Sequence, residues 1–167
     1  MTSNLRRVVT GIDSNGKSVF VSDGPPVTTG ALGTITDLWR IDAPPTDPSA
    51  GHDPPVYRFL PAPTGSIFRI VELPPQAERI AQFDAGQAGI PFPTQDPRDP
   101  EWGMHTTPTS DYITILSGAV WLRLDDGAEV ELRAGDCVIQ RGTRHTWRNT
   151  GTIPCVFVSV MLGVQET

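Results

Sequence analysis

Apolar and polar residues alternate in short runs along much of this chain. Leu5 to Thr10 and Lys17 to Ser22 are two such runs, and Asp13-Ser14-Asn15-Gly16 between them holds residue types that tolerate tight turns, so a hairpin is predicted. Ile35 to Ile41, carrying Trp39, predicts a further strand. Ser66 to Leu73 places Ile67, Arg69, Val71 and Leu73 on one face and Phe68, Ile70 and Glu72 on the other. Apolar groups on both faces predict a strand sandwiched between layers.

From Tyr112 the alternation becomes regular. Tyr112 to Leu116, Ala119 to Leu124, Glu129 to Leu132, Cys137 to Gln140, His145 to Asn149 and Cys155 to Leu162 are short strand-like runs, with glycine at nearly every break. That spacing predicts an antiparallel sandwich or barrel. Within Ala119 to Leu124, Val120, Leu122 and Leu124 face one way and Trp121 and Arg123 the other, and Asp126-Gly127 supplies the hairpin.

The remaining stretches resist this pattern. Ala43-Pro44-Pro45-Thr46-Asp47-Pro48 and Asp53-Pro54-Pro55 cannot sit in central strands and are expected to wrap the surface. Residues 74–104 hold one short helical stretch, Ala77 to Ala81, then a loop rich in Gly, Pro and Asp; so long an irregular segment reads as a lid, an interface or a plain surface loop. Seventeen prolines and sixteen glycines argue against an all-helical fold. A net charge of −6 with both signs scattered argues against nucleic acid or an anionic membrane as partner. No apolar run approaches the length of a membrane span, and the first residues lack the apolar core of a secretory signal. Cys137 and Cys155 read as buried free thiols of a cytoplasmic protein, with a disulfide between neighbouring strands as the alternative.

Two segments carry a family resemblance. Gly103-Met104-His105-Thr106-Thr107-Pro108-Thr109-Ser110-Asp111, continuing to Gly118, is similar to the first motif of the cupin superfamily, with His105 on its first histidine, Thr107 on its second, Asp111 on its glutamate and Gly118 on its glycine. Gly135 to Asn149 resembles the second motif, with Gln140 where proline is usual and His145 and Asn149 at the His and Asn positions. The resemblance implies an all-β fold, a double-stranded β-helix or jelly-roll barrel with N-terminal strands and long Pro/Gly-rich loops. It is expected to form a single domain over 1–167, with strands and loops in 1–102 and the two-motif core in 103–162.

The same resemblance implies a site. A closed barrel brings distant side chains to one internal point. His105, Asp111 and His145 are the candidate catalytic residues and the candidate metal ligands. They would hold one divalent ion (Fe, Mn, Zn or Ni) and no organic cofactor. Thr107 is a poor ligand and Asp111 is one methylene shorter than glutamate, so the alternative is a metal-free polar or acid/base cluster. The expected function is a small-molecule enzyme of the lyase or isomerase type, decarboxylase- or dehydratase-like, acting on an organic or polyketide-type acid. An Fe-dependent dioxygenase and a non-catalytic ligand-binding barrel are the alternatives. His52 reads as a solvated loop residue, Arg69, Arg123, Arg144 and Arg148 as surface arginines or substrate-carboxylate receivers, Trp102 as a cap on the barrel mouth, and Trp39, Phe68, Trp121 and Trp147 as core, interface or pocket lining. A homodimer through the N-terminal strands is expected.

Overall fold

A computed structural model of the protein describes residues 5–26, 28–29, 35–86 and 96–165. The N-terminal hairpin pairs β1 (Arg7–Ile12) with β2 (Ser18–Gly24). Its turn forms as expected because the Asp13 carboxylate accepts hydrogen bonds from the backbone N–H groups of Asn15 (2.8 Å) and Lys17 (2.9 Å), while Gly16 takes a positive φ of 77°.

The main sheet has six strands in the order β3 (Thr28–Thr29), β4 (Ile35–Ile41), β5 (Ser66–Leu73), β11 (Cys155–Gly163), β6 (Thr109–Ser117) and β9 (Cys137–Arg141). A three-stranded sheet, β10 (Thr146–Arg148), β7 (Ala119–Arg123) and β8 (Glu129–Arg133), completes the barrel, and every strand pairing is antiparallel. Among the described residues one α-helix, α1 (Gln76–Asp84), comes after β5. Leu73, Ile113, Ile115 and Phe157 from the main sheet pack against Val120, Leu122 and Leu132 from the smaller one, and Trp147 and Val71 border that core. The expected all-β double-stranded β-helix is the observed architecture.

Differences are local and have local causes. The helix runs to Asp84, beyond the expected Ala81, helped by an i,i+4 contact from Gln82 to Glu78 (3.3 Å). Strand β6 begins at Thr109, not Tyr112, because Ser110 and Asp111 pair with Arg141 and Gln140. Both thiols are free, as expected, but Cys137 is exposed: its strand lies at the edge of the sheet and its side chain points outward. The expected loop over 74–104 falls partly on residues 87–95, which lie outside the described residues.

Candidate active site

Register decides which side chains face the interior. Along β6 the buried residues alternate as Thr109, Asp111, Ile113 and Ile115. Met161 on β11 and Gln140 on β9 flank Asp111, and Ser159 on β11 lies between Arg69 on β5 and Ile113 on β6. Along β6 the polar Thr109 and Asp111 thus lie at one end and the apolar Ile113 and Ile115 at the other.

The two histidines of the motifs meet here. His105 precedes β6, His145 precedes β10, and the two form an isolated antiparallel bridge in which each backbone N–H donates to the other's carbonyl at 2.9 Å. Their ring centroids are 4.4 Å apart at 48°. His105 Nδ1 lies 2.7 Å from the Gly103 carbonyl and His145 Nδ1 lies 2.9 Å from the Thr143 carbonyl. A carbonyl only accepts, so both Nδ1 atoms carry the hydrogen, and Nε2 bears the lone pair in each neutral ring. Gln140 braces this arrangement by donating through Nε2 to the Thr143 carbonyl (3.1 Å) and hydroxyl (2.7 Å). Trp147 meets His145 edge-on at 5.9 Å and stacks on Phe157 at 5.3 Å, which fixes the imidazole from the apolar side.

Burial sets the protonation of this cluster. His145 is 3% exposed, and desolvation, which outweighs the bond to Thr143, pushes its pKa down to about 4, with His105 adding to the depression. Desolvation likewise raises the Asp111 carboxyl above its ordinary range, against the opposing pulls of Thr109, Arg69 and His105. Asp111 Oδ1 is buried with no hydrogen-bond partner. The Thr109 hydroxyl donates to Thr107 Oγ1 at 2.8 Å. Asp111, Thr109 and Thr107 thus stand in line inside the barrel, with the Thr109 hydroxyl between the carboxyl group and Thr107.

Arg69 corrects the expectation of a surface arginine or a free carboxylate receiver. It is 3% exposed, its Nε donates to the wholly buried Asp37 at 3.0 Å, and its two terminal nitrogens donate to the carbonyls of Phe59 (3.1 Å) and Arg58 (2.7 Å). It thereby pins the proline-rich segment 53–63 over the site, which brings the Phe59 ring to 5.9 Å from that of His105 and sets Tyr57 under the guanidinium. Arg69 shares its strand face with Ile67 and Leu73, and that alternation was the signal for its burial. Tyr57 and Phe59 lie in a loop without periodicity, so no sequence pattern marked them.

The other candidates fall outside. His52 is exposed and bonds Asp42 at 2.9 Å, as expected of a loop residue. Arg123, Arg144 and Arg148 lie in surface ion pairs with Glu101, Asp125 and Glu129. Asn149 holds turns together by donating to the Leu73 and Ile153 carbonyls. Trp102 is buried at 4% exposure, where Arg79 of α1 covers its ring.

The metal question turns on the donor set. Two imidazoles with Nε2 lone pairs suit a divalent ion, but among the described residues no group of three or more His, Cys, Asp or Glu side chains is arranged to hold one. The two imidazoles come together as a pair.

Fold and motif residues together define a cupin-type barrel, and the comparisons agree. The cupin-domain family model matches residues 94–161. A phomopsin biosynthesis cluster protein of Diaporthe leptostromiformis is 30% identical over 86% of this chain and 69% of its own length. The chain belongs to the cupin-domain proteins. A cupin-domain-containing oxidoreductase of Aspergillus ruber is 28% identical over 98% of this chain and 75% of that protein. Among solved structures, a double-stranded β-helix protein of Klebsiella pneumoniae is 24% identical with a TM-score of 0.40, covering 61% of this chain and 70% of that one.

Proposed function

We propose that this protein is a small-molecule enzyme working by proton transfer inside the barrel, of the lyase or isomerase type, on an organic or polyketide-type acid. The observation that carries this reading is the His105–His145 pair, anchored through both Nδ1 atoms beside a desolvated Asp111. A neutral His145 accepts a proton at Nε2 from the carbon next to a substrate carbonyl, and the Asp111 carboxyl, which desolvation shifts toward its acid form, is the proton donor proposed for the oxygen where charge develops. Two relatives come from a biosynthesis cluster, which supports a natural-product acid as substrate. The test is a panel of such acids with turnover read by mass spectrometry. His105→Ala and His145→Ala are each expected to slow turnover roughly 100-fold or more. Undiminished turnover in both variants overturns the reading.

A redox or metal-assisted reaction is the second reading. The relatives named as cupin-domain-containing oxidoreductases favour it, and so do the two carbonyl-anchored tautomers, since metal-bound imidazoles commonly donate their other N–H in this way. His105, His145 and, after a shift of its side chain, Asp111 would hold the ion. Elemental analysis of wild type and His145→Ala separates the readings. A stoichiometric metal lost in the variant supports the second, and a metal-free active protein supports the first.

A cytoplasmic location is supported by the two free thiols. A homodimer is supported by the β1–β2 hairpin. Among the described residues neither strand pairs outside the hairpin, and Ile12 and Phe20 on one face are each 76% exposed.

A further inference from the structure

A second polar feature lies beside the helix and takes no part in the chemistry proposed for the barrel. Arg79 on α1 places its guanidinium carbon 5.0 Å from the centre of the Trp102 ring. Among the described residues its side chain makes no hydrogen bond and no ion pair. Desolvation draws its pKa down to about 10, opposed only by the neighbouring Glu78. Trp102 is 4% exposed, and its indole Nε1–H is buried without an acceptor. A buried N–H left unsatisfied is costly, and so is a partly desolvated cation that no ion pair contacts.

None of the acids of α1 and of residues 96–101 forms an ion pair with Arg79. Asp84 and Asp96 both pair with Arg98, at 2.5 and 3.1 Å, and Glu101 pairs with Arg144 at 2.8 Å. Asp99 Oδ1 accepts from the Glu101 N–H, and Glu78 accepts from Gln82. The intervening sequence 87–95, QAGIPFPTQ, contains no acid. Two donors of different kinds, one charged and one neutral, therefore sit together; among the described residues neither has a hydrogen-bond or ion-pair partner for its side chain, and the only charge acting on Arg79 is that of its neighbour Glu78, which does not bond it.

We propose that Arg79 and Trp102 form a binding site for the carboxylate of a small organic acid. A carboxylate has two oxygens in one plane, so one can meet the guanidinium and the other the indole N–H. The ring under the guanidinium keeps the cation in place through its π-face, which holds the donors ready before the ligand arrives. The carboxylate belongs either to the barrel's substrate or to a separate small acid. Trp102 adjoins the barrel site through its backbone, since its carbonyl accepts from Thr146, next to His145, at 3.1 Å, and the carbonyl of the next residue, Gly103, anchors His105.

Benzoate is the probe, and the readout is the set of four indole N–H signals in a proton–nitrogen correlation spectrum of the full chain. The signal missing in Trp102→Phe, a variant that keeps the ring and loses the donor, identifies Trp102. That signal is expected to shift saturably with benzoate while the other three move less. Affinity is expected to fall about tenfold or more in Arg79→Gln and less in Arg79→Lys. His145→Ala is expected to bind benzoate as wild type does, which separates this site from the histidine pair. In turnover assays, a raised KM with unchanged kcat in Arg79→Gln assigns the carboxylate to the substrate, and unchanged KM and kcat assign it to a separate acid. A Trp102 signal that does not move, equal affinity in Arg79→Gln, or phosphate binding as tightly as benzoate overturns the proposal. Unchanged positions of the other three indole signals confirm that each variant is folded.

Discussion

His145 sits where ionisation is disfavoured, and this links the site to stability. Its pKa is near 4 folded and about 6.5 unfolded. Between those values the unfolded chain binds the extra proton, so stability rises with pH through that window and is lost as pH falls through it. The contribution is on the order of 3 kcal/mol. Asp111 acts with the opposite sign: its raised pKa makes the folded state the better proton binder just above the ordinary carboxylate range. Thermal melts from pH 4 to 7 are expected to show a climb in wild type that flattens in His145→Asn. A climb of equal height in the variant would place its origin elsewhere. Arg69 and Asp37 pose a different problem, since each is buried and each neutralises the other. Arg69→Leu strands the Asp37 carboxylate and is expected to cost about 3–5 kcal/mol in denaturant unfolding, part of which Arg69→Leu/Asp37→Leu restores. The histidines were legible in the sequence through their motif positions. The depth of Arg69 was legible only as a face, because alternation places a side chain inward without saying what it will meet there.

At the scale of elements, β11 holds the main sheet together, paired over eight positions with β5 on one side and with β6 on the other. The connection from β6 to β7 is correspondingly tight. Gly118 there has φ +76°, and a Cβ would lie 2.7 Å from the Pro154 carbonyl oxygen and 2.9 Å from Cys155 Cα, both backbone atoms. Gly118→Ala is expected to destabilise by about 1–3 kcal/mol, visible as a lower denaturant midpoint, whereas Ala at Gly16, which has the same sign of φ but open space around it, costs less. Strand positions were readable because period-two alternation and glycine breaks are local. The start of β6 was not, since Thr109 to Asp111 become strand only by pairing across to β9 and β11. The segment over the site was equally hidden: prolines mark where the chain cannot be strand, but the position of Phe59 depends on two carbonyls bonded by Arg69.

At the scale of the whole molecule, the hairpin β1–β2 stands apart from both barrel sheets, joined through Arg7, which donates to the Leu38 carbonyl (2.8 Å) and contacts Asp53. With a proposed second copy covering its exposed face, light scattering is expected to give about twice the 18.1 kDa chain mass for wild type. Phe20→Asp is expected to shift the protein toward monomer, because a carboxylate on an apolar interface goes unpaired; an unchanged dimer mass would remove the hairpin from the interface. The barrel class, its strands and the pair His105 and His145 come from sequence alone, because alternation, turn residues and motif spacing are properties of neighbours along the chain. Tertiary structure alone decided that Arg69 is a buried clasp, that His105 and His145 stack at 4.4 Å, and that Arg79 lies over Trp102 without an ion pair. Each of those depends on which side chains converge from distant segments and on how much water they lose when they do.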